Sequence, residues 1–160
     1  MSPSPLALDL ARINADLGRD APGLVQWALD LGQRAIVTTN FRPFEAVILH
    51  MVTRVNPDVP VVWMDNGYNT EATYRYADEV TQQLGLKLQI YLPRRSRAHR
   101  EAVEGATPAL DDPRHAAFTA EVKLEPFARA LHETAPKVWF TALRATDSAV
   151  RAQMEPVSIN

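Results

Sequence analysis

The chain has no cysteine among its 160 residues. This one absence removes disulfides, thiolate nucleophiles, cysteine zinc sites and cysteine-ligated iron–sulfur clusters together. No cofactor is expected. Glycine is scarce too, at six residues, and none lies between Gly32 and Gly67. No sign of charge dominates: 17 basic against 19 acidic residues leave a net charge of −2. With a sequence pI near 6.1, the chain has no basic field for gathering nucleic-acid phosphates, so nucleic acid is not an expected partner. Long apolar runs are missing as well. The opening segment "MSPSPLALDLARINADL" is interrupted by Asp9, Arg12 and Asp16, which predicts neither a leader nor a membrane span, and hence a cytoplasmic protein. The four histidines, His50, His99, His115 and His132, are far apart and lack the close spacing of a metal motif. No metal site is expected.

What is present is a 46% hydrophobic chain of a length suited to one domain, here residues 1–160, with a substantial core. Leu6, Leu8, Leu10, Ile13 and Leu17 recur at helical spacing until Gly18 stops them. A second helix is predicted from Pro22 to Leu31, with Gly32 as its breaker. "RAIVTT" is a β-branched run too short for a helix and is read as the first strand. "FEAVILHMVTRV" follows as a helix ended by "NPDVP". "VPVVWMD" is the second strand, "TYRYADEVTQQLG" a helix closed by Gly85, and "KLQIYLP" the third strand. Residues 94–122 are polar and read as short helices and loops. A helix through "EPFARALHET" and a fourth strand, "KVWFTAL", complete the pattern. Strand and helix in alternation predict an α/β, Rossmann-like parallel sheet covered by helices on both faces, with ligands at the carboxyl ends of its strands.

Three of those strand ends carry polar clusters. After the first come Thr38, Thr39, Asn40, Phe41 and Arg42; after the second come Asp65, Asn66 and Gly67. After the fourth, Arg144 and Arg151 flank a stretch of small polar residues. Each cluster has an ordinary explanation as well as a functional one. Thr38, Thr39 and Asn40 suit the cap of the next helix, Asn66-Gly67 is a turn signal, and two arginines are ordinary on a surface. Arg42 favours an anion, because a guanidinium beside a helix N-terminus is repelled by the helix dipole unless negative charge lies between them. Two arginines seven apart suit the clamping of a phosphate or sulfate.

Taken in order, these segments resemble the phosphoadenylyl-sulfate (PAPS) and adenylyl-sulfate reductase family, within the PP-loop, adenine-nucleotide alpha-hydrolase-like superfamily. The stretch from "FEAVILHM" to "KLQIYLP" is similar to the family's nucleotide loop, its strand ending in Asp-Thr-Gly and its Glu-Thr-Tyr helix. "VKLEPFARAL" resembles its Lys-Val-Glu-Pro helix, and "WFTALRATDSAVRA" its arginine loop. The resemblance covers nearly the whole chain. It implies binding of an adenine sulfonucleotide or a related small anion, with room for a homodimer. It places Thr38, Thr39, Asn40, Phe41 and Arg42 at the phosphate or sulfate end, Asp65, Asn66 and Gly67 at the adenosine, Lys123 at the sulfonate, and Arg144 with Arg151 around the anion.

The chain departs from the family pattern in several places. Where the family loop has Ser-Phe-Gly, this one has Asn40-Phe41-Arg42, exchanging bare backbone for side-chain charge. The family's paired arginines become Arg144-Ala145. The reductive step in the family uses a cysteine in a C-terminal Glu-Cys-Gly-x-His tail, and the adenylyl-sulfate branch holds an iron–sulfur cluster on paired cysteines. These 160 residues contain neither. No catalytic residue is therefore assigned, and thiol-dependent reduction is excluded for this chain by itself. Two other readings stand beside sulfonucleotide binding. One is a non-catalytic, partner-binding or sensor member with a degenerate pocket. The other is a PP-loop ATP pyrophosphatase, against which the missing loop glycines count.

Overall fold

The computed structural model describes residues 8–159. Helix α1 spans Leu10–Leu17 and is capped by the Asp9 carboxylate, which accepts from Arg12 N at 3.0 Å. The helical pattern expected from Leu6 onward begins outside the described residues. Helix α2, Ala21–Asp30, is capped in the same way by Asp20 on Gly23 N. An aspartate three residues before the N–H it serves is the local reason that each helix starts where it does.

Four strands follow: β1, Ala35–Thr39; β2, Pro60–Met64; β3, Lys87–Tyr91; and β4, Val138–Phe140. They form one sheet in the order β3-β2-β1-β4, every pair parallel. Between them lie α3, Glu45–Val55; α4, Glu71–Leu84; α5, Arg97–Glu104; α6, His115–Thr119; and α7, Glu125–Thr134. The polar stretch 94–122 thus holds two short helices within connecting loops. A π-helical segment, Ala120–Leu124, joins α6 to α7.

The strands explain why both faces are covered. Side chains alternate across a pleated strand, and here both sets are apolar. Val37, Val61 and Trp63 pack with Val25, Leu49, Val52, Ala77 and Val80 from α2, α3 and α4. Ile36 and Val62 pack with Tyr91 and with Ala130 of α7 on the opposite face. The α/β, Rossmann-like sheet read from the sequence is the one observed. The fourth strand is shorter than "KVWFTAL" suggests, because β4 pairs with β1 only from Ala35 to Val37, whereas β1 runs on beside β2 to Thr39. Thr141, Ala142 and Leu143 therefore leave the sheet early and begin the arginine loop.

Among the described residues, no helix is long and apolar enough to cross a membrane. An open groove of about 850 Å³ lies on the side of Arg34, Asn56, Asp58 and Pro60, where β1 and β2 begin. It is remote from the strand ends that carry the polar clusters.

Candidate functional site

The loop from β1 to α3 is organised around one carboxylate. Glu45, the first residue of α3, turns its side chain back so that Oε2 accepts from Thr39 Oγ1 at 2.7 Å, Asn40 N at 2.6 Å and Arg42 N at 3.3 Å. The Thr39 hydroxyl, 2% exposed, also accepts from Phe41 N at 2.9 Å. Neither threonine nor Asn40 caps α3 with its side chain: the residue at the cap is Phe44, which makes no side-chain cap bond. Thr38 is occupied elsewhere, its hydroxyl accepting from Trp139 Nε1 at 2.9 Å. This bond ties the end of β1 to β4.

Phe41 takes a left-handed backbone, φ 53°, which is costly for a residue with a bulky side chain. Burial compensates. Its ring is 3% exposed and meets Trp63 edge to face, with centroids 4.9 Å apart. The Phe41 side chain is therefore core, and only its backbone belongs to the loop. Arg42 is exposed and forms no ion pair among the described residues. The negative charge its position calls for is the Glu45 carboxylate on its own N–H.

At the end of β2, Asp65 is almost fully buried. Its Oδ1 accepts from Gly67 N, Asn69 Nδ2 and Tyr74 Oη, each at 2.9 Å. Asn66 Oδ1 accepts from Tyr68 N at 2.8 Å, so two side-chain turns follow each other, and Gly67, at φ 79°, supplies the left-handed step between them. Burial, followed by the hydrogen bond to Asp65, raises the Tyr74 hydroxyl above its usual range. Tyr74 thus remains a proton donor to the carboxylate across neutral pH.

Beyond β4, Asp147 stands between the two arginines. Arg144 Nη2 meets its Oδ1 at 2.9 Å and Arg151 Nη1 its Oδ2 at 3.2 Å. Arg144 also lies over the Phe44 ring, 4.6 Å from the centroid, a cation–π contact that brings the arginine loop against the β1–α3 loop. The Asp147 carboxyl is held below its ordinary value of 3.8, first by the Arg144 N–H, with the guanidiniums of Arg144 and Arg151 adding to the effect. A carboxylate with a depressed folded value stabilises the fold above its unfolded value and loses that contribution as pH falls through the folded one. The arginine loop is therefore expected to stay anchored at neutral pH and to loosen only below about 3.8. A carbon-detected NMR titration of Asp147 checks this; a midpoint at or above 3.8 would remove the anchor.

Lys123 lies in the π-helical segment, exposed and free of any ion pair among the described residues. The same π-helical segment carries ion pairs to α5 and to the loop before it. Arg95 clamps Glu121 through two bonds of 2.6 Å and also reaches Glu104, which pulls the Glu121 carboxyl down. Arg97 lies over Tyr68 and the buried Arg100 over Phe118. No cluster of three or more potential metal ligands occurs among the described residues, and the chain offers no cysteine for an iron–sulfur cluster.

A family model described as the phosphoadenosine phosphosulfate reductase domain matches residues 34–160. The chain belongs to the phosphoadenosine phosphosulfate reductase family. The phosphoadenosine 5'-phosphosulfate reductase of a Synechococcus species is 36% identical over 155 residues, covering 94% of this chain and 66% of that protein. The corresponding enzyme of Xanthomonas campestris is 40% identical over 157 residues, covering 94% and 63%; that of Escherichia coli is 38% identical over 154, covering 95% and 63%. Among solved structures, the PAPS reductase of Candida auris in a phosphate complex superposes with a TM-score of 0.74 at 25% identity, covering 90% of this chain and 70% of that one. The chain spans about two thirds of the length of these curated relatives.

Against this reductase fold, the residues singled out from sequence fall into two groups. The β1–α3 loop and the arginine loop meet through Phe44 and Arg144, and Asp65, Asn66 and Gly67 form the end of the neighbouring strand β2. Lys123 stands apart on the α6–α7 connection, with no contact to these clusters among the described hydrogen bonds and ion pairs. Sequence reasoning missed Glu45, Phe44, Asn69, Tyr74 and Asp147. The signal for Asp147 was present, since a carboxylate three residues after one arginine and four before the next suits both. Glu45 gave a weaker sign, as an acid opening a helix after a polar loop.

Proposed function

We propose that this chain forms the sulfonucleotide-binding part of a phosphoadenosine phosphosulfate reductase of sulfate assimilation, acting in the cytoplasm and without a cofactor. The observation that carries this reading is the contact of Arg144 with Phe44, which sets the family's arginine loop against its nucleotide loop at the carboxyl ends of β1 and β4. Arg42, Arg144 and Arg151 supply positive charge for a phosphate or sulfate, and a charge-assisted bond of this kind contributes about 1.5–3 kcal/mol when well formed. Thr38 ties the end of β1 to β4, while Thr39 and the backbone N–H groups of Asn40 and Arg42 are the loop donors that Glu45 Oε2 meets in the free protein. At Asp65, Oδ1 is committed to internal donors, which leaves Oδ2 for an adenine amino group or a ribose hydroxyl beside Asn66 and Gly67. Lys123, exposed and without an ion pair among the described residues, is assigned to the sulfonate.

Reduction of the sulfonate requires a thiolate, and these residues provide none. Incubated with PAPS and a dithiol reductant, the 160-residue chain is expected to release no sulfite yet to retain PAPS in equilibrium dialysis. Failure to retain it would overturn the reading, and release of pyrophosphate from ATP would replace it with adenylating chemistry. The homodimer is part of the same proposal. Sedimentation should show a species of twice the 17.8 kDa chain mass.

A further inference from the structure

We infer that Glu45 is a built-in competitor for the anion site, occupying the donors of the β1–α3 loop and having to leave before the anionic group of a ligand can bind. This inference rests on the sulfonucleotide reading and adds to it the residue that sets how strong an anion must be to enter.

Three donors from three successive parts of the loop converge on a single oxygen: the Thr39 hydroxyl, Asn40 N and Arg42 N all meet Glu45 Oε2. Backbone N–H groups of one loop turned toward one point are an arrangement with which proteins hold phosphate oxygens, and here Asn40 N and Arg42 N are so turned, while Phe41 N between them donates to Thr39 Oγ1. One of the donors, Thr39, is almost fully buried, so its hydroxyl has no bulk water to turn to. Glu45 opens α3, with its backbone N–H donating to Arg42 O at 2.9 Å. Its carboxylate can therefore leave by side-chain rotation while the turn and the helix stay intact. A carboxylate and a phosphate on the same three donors would repel, and each donor has one proton to give. Binding is thus an exchange of one anion for another. The exposed Arg42 guanidinium, with no carboxylate partner among the described residues, provides the additional attraction that an incoming dianion can use and the monoanionic Glu45 does not.

The exchange has a consequence that a purely structural Glu45 lacks. Removing the carboxylate should weaken the free fold and strengthen anion binding at the same time. For Glu45→Ala, the melting temperature without ligand is expected to fall, while affinity for inorganic phosphate and for PAPS rises by about tenfold or more, the equivalent of one charge-assisted bond no longer given up. Glu45→Gln keeps the shape and one acceptor but not the charge; it should remain folded and gain affinity in the same direction by a smaller factor. Isothermal calorimetry on the full 160-residue chain with both probes reads the effect. Unchanged or weaker binding of PAPS by both variants, with PAPS still bound by the unsubstituted chain, would overturn the role of Glu45 and leave the sulfonucleotide reading standing. No binding of PAPS by any of the three proteins would overturn both.

Discussion

Replacing Asp65 with alanine is expected to destabilise the protein by about 2–4 kcal/mol, which reflects the loss of bonds to a charged acceptor and the stranding of the donors around it. The size follows from geometry. One oxygen of the nearly buried Asp65 serves Gly67 N, Asn69 Nδ2 and Tyr74 Oη, and the small side chain of alanine leaves all three without that acceptor. Tyr74 also packs on Trp63, ring centroids 5.7 Å apart, so a displaced hydroxyl disturbs the aromatic cluster that holds Phe41 in its left-handed conformation. The damage should pass from the end of β2 to the β1–α3 loop. Asp65→Asn, which keeps an oxygen at the same place, should cost less than half as much. Urea unfolding with an unchanged slope would measure both. Equal destabilisation by the two variants would show that the charge, and not the acceptor geometry, holds the turn.

Arg144→Ala is expected to lower affinity for a sulfonucleotide by about 10-fold to 150-fold, the equivalent of one charge-assisted bond to the ligand. The free protein should change little. The Arg144 side chain is 50% exposed and its ion pair with Asp147 is matched by a second pair from Arg151, and exposed pairs contribute little to stability. Asp147 pairs with both arginines of the arginine loop, while Glu45 accepts from the N–H groups of the nucleotide loop. Arg144 is thus held ready by Asp147 and Phe44 before any ligand arrives, and the substitution separates ligand binding from folding. A large loss of melting temperature with the ligand-induced shift preserved would make Arg144 structural.

The sheet was legible because its causes are local. β-branched runs such as "AIVTT" and "VVWM" mark strands buried on both faces, and Gly85, at φ 62°, ends α4 where a left-handed residue is needed. Asp9, Asp20 and Thr70 are helix caps of ordinary kind. The convergence of three strand ends followed from parallel topology alone. The details that decide the site are not local in this sense. A phenylalanine adopts positive φ only because Trp63, 22 positions later in the chain, gives its ring a place in the core. The threonines look like helix caps, but the loop's free N–H groups are met from the other direction, by the side chain of the helix's own first residue. The clamp of Arg95 on Glu121 spans the whole α5–α6 excursion, and no spacing rule connects such partners.

If the carboxyl ends of β1, β2 and β4 form a sulfonucleotide site, calorimetric titration of PAPS into the chain will detect it. A saturable heat is predicted that inorganic phosphate competes away and that Arg144→Ala strongly reduces. No heat from PAPS, adenylyl sulfate or adenosine 3',5'-bisphosphate, under conditions where the chain is folded, would contradict it.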